Sequence, residues 1–429
     1  MSVDGTATRR TFLKYSLAAP AALAAGHAQG ANDRINVGMI GLGGRGGYLF
    51  NMVLHRIAEK SDVELVALCD PYQSRLSEAA SKVPGAKTYV YHQELLEHPG
   101  LNAVIIATPD HWHAPITLAA LDRGLEVYCE KPMTHTLEEA RTVRDRVREK
   151  NRIMQVGVQA LSWDRWHKVR EVVQAGTLGK VVAVQGTYSR NNQGGDWNWR
   201  IDPDAGPEGK GDAHIEWKQW LGSAPARPFD ADRFFRFRKY WDYSGGIATD
   251  LHYHIVAPFH LALENEHPSR ICGMGGLWVY DDGRETPDTF LTAADYPGKY
   301  SLTVQSSQVN EMGPTMMIRG TQATMHLGDE WEGPQGRNVS TARVVPETPF
   351  RSEFRSQWGK LEVVIEGVGN QGDQKHVDNF FDCIRTRQKP NCDADLGYKV
   401  MTAIDLSVRS YRQSRVFSFD PRAERITNG

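Results

Sequence analysis

Three short stretches of this chain have the residue types and spacing that chemistry needs. Gly41-Leu42-Gly43-Gly44-Arg45-Gly46 is a G-x-G-x-x-G run. Its glycines suit a tight turn, close backbone approach to a pyrophosphate, and close packing of helix on strand. A helix opening there offers free N–H groups and partial positive charge to phosphates. Glu130-Lys131-Pro132 is the second stretch. The third is Asp250-Leu251-His252-Tyr253-His254, preceded by Gly245-Gly246. A helix starting at Gly246 puts Asp250 and His254 on one face, four residues apart, and turns His252 elsewhere. Oxidising an alcohol removes a hydride from carbon and a proton from oxygen. A nicotinamide takes the hydride, and the proton needs a base. Histidine titrates in the useful range, and a lysine beside a cationic nicotinamide is expected to have its pKa lowered.

The surrounding elements are those the first stretch requires. Ile35–Ile40 reads as a buried strand, a helix runs from the glycines to about Lys60, and 63–69 reads as a second strand ending at Asp70. Asp70 is placed to accept both adenosine ribose hydroxyls and to repel a 2′-phosphate. That favours NAD over NADP, and Arg75 weakens the preference without reversing it. The alternation continues with strands at 103–108, 125–129 and 153–157 and helices at 114–123 and 137–150. This is a doubly wound parallel sheet, whose ligands sit beyond the carboxyl ends of the strands. Thr108, Pro109, His111, His113, Glu130, Lys131 and Gln159 therefore join Gly41, Gly43, Gly44, Arg45, Gly46 and Asp70 as candidates for the cofactor side.

After residue 157 the pattern changes. A helix over 163–175 is followed by strand-like alternation at 180–190, 269–280, 287–295, 300–309 and 314–327, which predicts a mostly antiparallel open sheet in an α+β domain. Helices over about 373–388 and 395–412 are expected to pack back on the body. The segment 194–243 holds Trp197, Trp199, Trp217, Trp220 and Trp241, five of eleven Trp, interleaved with Arg and Asp. Flat aromatics with Arg and Asp suit a sugar ring, with Trp199, Arg200 and Tyr240 as candidates. Equally, an irregular insertion needs large side chains to make a core. Asp250-x-His252-x-His254 would present metal ligands only as a strand, and His111-x-His113 is another pair. The helical reading breaks the first, hydride transfer needs no metal, and none is assigned.

The glycine run, Thr-Pro-Asp-His-Trp-His at 108–113, Glu-Lys-Pro at 130–132 and Asp-x-x-x-His at 250–254 together resemble the Gfo/Idh/MocA family. It is named for glucose-fructose oxidoreductase and inositol dehydrogenase. The resemblance runs from about residue 34 to the C-terminus and implies a Rossmann domain over 34–157 and a substrate and oligomerisation domain over 158–429. It also implies a carbohydrate substrate and dimers or tetramers formed through the open sheet. By the same resemblance Lys131 lies near the nicotinamide and the substrate hydroxyl, Asp250 orients substrate and His254 is the acid–base candidate. Family members include glycosidases that oxidise and re-reduce a ring hydroxyl. Those resembling N-acetylgalactosaminidase depart from Glu-Lys-Pro, so the motif here implies the dehydrogenase-like majority. A redox-neutral hydrolase or lyase passing through a keto-sugar is the alternative enzyme, and an NAD-dependent sugar sensor the non-enzymatic one.

Thr-Arg-Arg-Thr-Phe-Leu-Lys at 8–14, an Ala-rich stretch and Ala25-Gly26-His27-Ala28 read as a twin-arginine export signal over residues 1–30. Several members of the resembled family carry one. That route transports folded proteins, so a periplasmic or secreted enzyme is expected to hold its nucleotide tightly before export. Fifty basic against fifty-two acidic side chains argue against nucleic-acid or membrane-surface binding. Five scattered Cys make no disulfide scaffold, and no membrane anchor is expected.

Overall fold

The computed structural model describes residues 34–264, 266–327, 341–366 and 372–427. The export signal assigned to residues 1–30 lies outside them.

The first half is built on β1 (Ile35–Ile40), β2 (Val63–Cys69), β3 (Lys87–Tyr89), β4 (Ala103–Ile106), β5 (Glu126–Glu130) and β6 (Met154–Gly157). They pair in the order β3-β2-β1-β4-β5-β6, and every pairing is parallel. Helices cover both faces, so β4 is buried at every position, as its unbroken apolar run requires. The helix Leu137–Lys150 shows how local sequence fixes an element. Thr136 and Glu139 form a reciprocal capping box at its start, and Asn151 ends it in the left-handed conformation.

The second half is a mixed sheet of β7 (Val181–Thr187), β8 (Arg270–Gly276), β9 (Thr289–Tyr296), β10 (Tyr300–Ser307), β11 (Met317–Gly320), β12 (Ala323–His326), β13 (Thr341–Pro346), β14 (Val363–Glu366), β15 (Phe417–Asp420) and β16 (Arg425–Thr427). The order is β14-β13-β12-β11-β7-β10-β9-β8-β15-β16, and the β7–β10 pairing is parallel while the rest are antiparallel. Burial alternates along β9, so one face meets the core and the other is left more open. Strands β13 to β16 are not foreseen by the sequence pattern. The last three have four residues or fewer, and the run predicted over 314–327 is a hairpin of two.

The helix Gly372–Thr386 returns to the first half, where Val377, Phe380 and Phe381 are fully buried against β1 and the helix Gly44–Lys60. At about 2 kcal/mol for each large apolar side chain, that contact is substantial. Arg56 clamps it by reaching Asp62, Asp378 and Asp382. Domain limits read from sequence order therefore divide the strands but not this helix.

The segment 194–243 forms a small core of its own. Trp217 and Trp220 stack with ring centroids 4.9 Å apart, among Phe234, Tyr240 and Tyr243. It lies on the nucleotide half, where the Tyr72 hydroxyl donates to Asp202 at 2.5 Å. Among the described residues no helix is long and apolar enough to cross a membrane.

Candidate active site

A cavity of about 690 Å³ opens at the carboxyl ends of β1, β2, β4 and β5 and runs to the second half. Gly41, Gly43, Gly44, Arg45, Asp70, Thr108, Pro109, Glu130, Lys131, Gln159, Trp199, Arg200, Asp250 and His254, all candidates from the sequence, line it.

At one end the backbone is shaped as the glycine spacing requires. Gly41 takes φ +89°, and a Cβ there would lie 2.6 Å from the Ala107 carbonyl oxygen. At Gly46 a Cβ would lie 2.0 Å from the Gly41 oxygen, so helix and strand approach as only glycine permits. Asp70 accepts the Leu42 N–H at 2.7 Å and the Tyr72 N–H at 2.9 Å. Each carboxylate oxygen keeps further acceptor capacity. Burial pushes the Asp70 carboxyl up, opposed by Arg75 and these two N–H groups. The Arg75 guanidinium lies beside Gly43 and over the Tyr72 and Phe234 rings.

The middle of the cavity holds two buried polar atoms that lack a hydrogen-bond partner, Thr108 Oγ1 and Gln159 Oε1. Orphaned groups of this kind call for a partner, and both belong to residues that line the cavity between Gly41 and Lys131. Arg45 donates to Glu130 at 2.7 Å and to Asp373 at 2.9 Å, tying the glycine turn to β5 and the returning helix. The residues present thus fit a dinucleotide. The fingerprint turn would hold pyrophosphate, Asp70 the ribose, and Thr108 and Gln159 the far half.

At the other end, Lys131 Nζ donates to Asp250 Oδ1 at 2.6 Å and to the Asp250 carbonyl oxygen at 2.9 Å. Both side chains are over nine-tenths buried. Arg238 Nε donates to the same Oδ1 at 2.9 Å, and Trp197 Nε1 to Oδ2 at 3.0 Å. Burial alone would raise the Asp250 carboxyl, but Arg238 and Lys131 hold it well below the usual carboxylate range. His254 is pushed well below its ordinary value by burial and by Lys131, so its imidazole is neutral. A π-helical turn over Ala248–His252 precedes the helix Tyr253–Leu263, widening the turn that presents Asp250 and His254 to the cavity. Asp110 accepts from Thr249 on this turn at 3.1 Å, a further tie between the halves.

Four expectations are corrected. His113 does not reach the cavity wall. Its two ring nitrogens meet the carbonyls of Pro132 at 2.5 Å and Thr108 at 3.0 Å, so it braces the strand ends from behind. His111 is likewise off the wall, turned by a 3₁₀ turn onto the Trp220 carbonyl at 3.1 Å. Tyr240 donates its hydroxyl to Asp232 and lies beneath Arg233 in the small aromatic core. Gly46, in the first turn of the helix, does not line the cavity, so of the roles read for these glycines it keeps the packing one and not the cofactor contact. The candidate metal triplet separates as the helical reading implies, with His252 facing Thr292 at 2.9 Å. Among the described residues no group of three or more His, Cys, Asp or Glu is placed to hold a metal ion.

Sequence reasoning missed Trp197, Arg190 and Arg238. Arg190 and Arg238 line the cavity, and Trp197 adopts φ +65°, unusual for so large a side chain. Their common signal was membership in the aromatic and Arg-rich stretch or its approach, with no periodicity to rank them.

Fold and site together define a two-domain α/β protein that binds a dinucleotide at the junction with an α+β domain. Two models of one family match consecutive stretches. "Oxidoreductase family, NAD-binding Rossmann fold" matches residues 35–158, and "Oxidoreductase family, C-terminal alpha/beta domain" matches 164–272. Together they cover more than half of the chain, which belongs to the Gfo/Idh/MocA oxidoreductase family. Inositol 2-dehydrogenase 4 of Saccharopolyspora erythraea is 32% identical over 155 residues, 36% of this chain and 45% of that protein. The scyllo-inositol 2-dehydrogenase (NAD(+)) of Bacillus subtilis is 29% identical over 153 residues, 36% and 44% of the two chains. The chain thus spans under half the length of these curated relatives. Levoglucosan dehydrogenase in complex with NADH and L-sorbose superposes with a TM-score of 0.67 at 17% identity, over 91% of this chain and all of that one. The aldose-aldose oxidoreductase of Caulobacter crescentus complexed with glycerol gives 0.65 at 17%, over 90% of this chain and all of that one. At such identity these two show the fold.

Proposed function

We propose that the protein is an NAD-dependent oxidoreductase acting on a CH–OH group of a sugar, polyol or glycoside. The observation that carries this is the single cavity joining the Gly41–Gly46 turn and Asp70 to Lys131, Asp250 and His254. The naming of the relatives as inositol dehydrogenases supports the substrate class.

Bound at the glycine turn, NAD supplies a hydride acceptor. The chain's own groups do the rest. Neutral His254 takes the proton of the substrate hydroxyl. Lys131 spends two N–H groups on Asp250 and has a third for the reacting oxygen, where its charge stabilises the developing alkoxide. Asp250 holds Lys131 and Arg238 in place rather than lying open to solvent. Trp199, 45% exposed at the cavity rim, offers a flat face to a sugar ring.

The proposal extends to export and cofactor retention. Arg9-Arg10 ahead of an Ala-rich stretch supports twin-arginine transport to the periplasm or beyond. Free nucleotide is scarce there, so a tightly held NAD is part of the same reading. A homodimer or tetramer is also proposed, supported by Met274, Trp278 and Val279 lying more than half exposed. The test is Lys131→Met. Nucleotide bound per chain is retained, and reduced nicotinamide no longer forms with any sugar that the unaltered protein oxidises. Undiminished turnover overturns the assignment.

A further inference from the structure

The charge at the reactive end of the cavity is unbalanced. Lys131, Arg190, Arg200 and Arg238 line it, against Asp250 and, beside the same turn, Asp110, which accepts from Thr249. Asp196 offsets part of this from behind Arg190, at 3.7 Å. Farther in, Arg45 and Glu130 are paired with each other. The excess is therefore cationic, in a partly desolvated space where charge is weakly screened.

Arg238 is the best placed of these cations. It spends Nε on Asp250, and no hydrogen bond is shown for its two terminal nitrogens among the described residues. Its guanidinium carbon lies 4.6 Å from the Phe237 ring centroid and 5.2 Å from that of Trp199, so two aromatic contacts hold it in place. A guanidinium held there, with its two terminal nitrogens uncommitted, suits an oxyanion group taken bidentately. Trp199 beside it would cover the apolar face of the same ligand. A neutral sugar would leave the fork without a charged partner.

Resting on the oxidoreductase reading above, we propose that the substrate is an anionic sugar, with its carboxylate or phosphate group held by the Arg238 fork while a ring hydroxyl meets His254 and Lys131.

The test uses the full chain saturated with NAD and follows intrinsic tryptophan fluorescence as D-glucuronate, D-glucose 6-phosphate or D-glucose is added. At least one anion is expected to bind about tenfold more tightly than glucose, with the advantage shrinking as salt is raised. Preference for glucuronate identifies a carboxylate, and preference for the 6-phosphate a phosphate monoester. Arg238→Gln, checked for folding by circular dichroism, is expected to bring the ratio of anion to glucose affinity close to one. Equal binding of all three sugars, binding of none, or a salt-independent preference overturns the proposal. So does a folded Arg238→Gln that keeps the full preference. Reduced nicotinamide is read separately. If anions are preferred yet no sugar yields it, the oxidoreductase reading fails while the anion site stands.

Discussion

The Lys131 ammonium touches Asp250 twice, at the carboxylate and at the main-chain carbonyl, across 119 residues of sequence. Lys131 stands just past β5 of the nucleotide half, and Asp250 on the π-helical turn of the other. The contact fixes how far the nucleotide end of the cavity lies from the groups that would act on a sugar. Arg238 and Trp197 complete the shell around the same carboxylate, so its position is overdetermined.

Removing that charge is expected to be costly. Asp250→Asn leaves the buried Lys131 and the partly buried Arg238 without their counterion, a loss of about 3 kcal/mol by the usual cost of breaking a buried pair. A lower unfolding temperature together with loss of turnover is expected, measured by calorimetry and initial rates. An unaltered melting curve would show that other groups compensate the two cations.

The glycines of the turn are expected to differ in cost. At Gly44 a Cβ meets nothing within 4 Å, whereas at Gly46 it would sit 2.0 Å from a backbone oxygen. Gly44→Ala should change stability by less than about 1 kcal/mol, and Gly46→Ala should cost about 3 kcal/mol and weaken NAD binding. Chemical denaturation and NAD titration of both variants decide this.

If His254 is the base, kcat/KM falls as pH drops through its pKa, because only the neutral imidazole accepts a proton. Burial and Lys131 depress that pKa, so the acid limb should lie below the ordinary histidine value of 6.5. A pH profile of initial rates shows it, and a limb above 6.5 would assign the base elsewhere.

Other histidines set the pH range of stability. Burial pushes His111, His252 and His260 down to about 3, so they fold neutral. Their contribution is present above pH 6.5 and is lost as pH falls from there towards about 3. His113 has the opposite sign. Burial opposes its charge, but Cys129, Asp110 and the Pro132 carbonyl outweigh this and push it up to about 9. Its contribution is full below pH 6.5 and is lost as pH rises through about 9. Thermal unfolding should therefore peak near neutrality. His113→Gln should flatten the alkaline side, and an alkaline slope unchanged by that variant would remove His113 from the account.

The nucleotide half was largely legible in the sequence because its signals are local. The strand before Gly41, the helix after it and the acid at position 70 sit within one βαβ unit. The second half was legible as strands but not in its closing pairs, since β14, β15 and β16 carry only four, four and three residues, too few to show a period. His111 and His113 were misplaced for a geometric reason. The end of β4 does point at the cavity, but the 3₁₀ turn at Asp110–Trp112 swings both rings onto backbone carbonyls behind it. Arg190, Arg238 and Trp197 meet around Asp250 only through tertiary folding of an irregular segment, and nothing in their spacing announces that. Of the five Trp in 194–243, Trp217 serves packing, Trp220 joins packing and cavity wall, Trp197 holds Asp250, Trp199 edges the rim and Trp241 lies against Tyr411.

The central claim is a built-in NAD at the glycine turn. It is tested most directly by expressing the chain without residues 1–30, dialysing it extensively, denaturing it and identifying the released nucleotide by mass. The account predicts NAD at close to one per chain, and not NADP, given Asp70. A protein that releases no nucleotide would contradict it, and one that also binds no added NAD would remove the cofactor reading altogether.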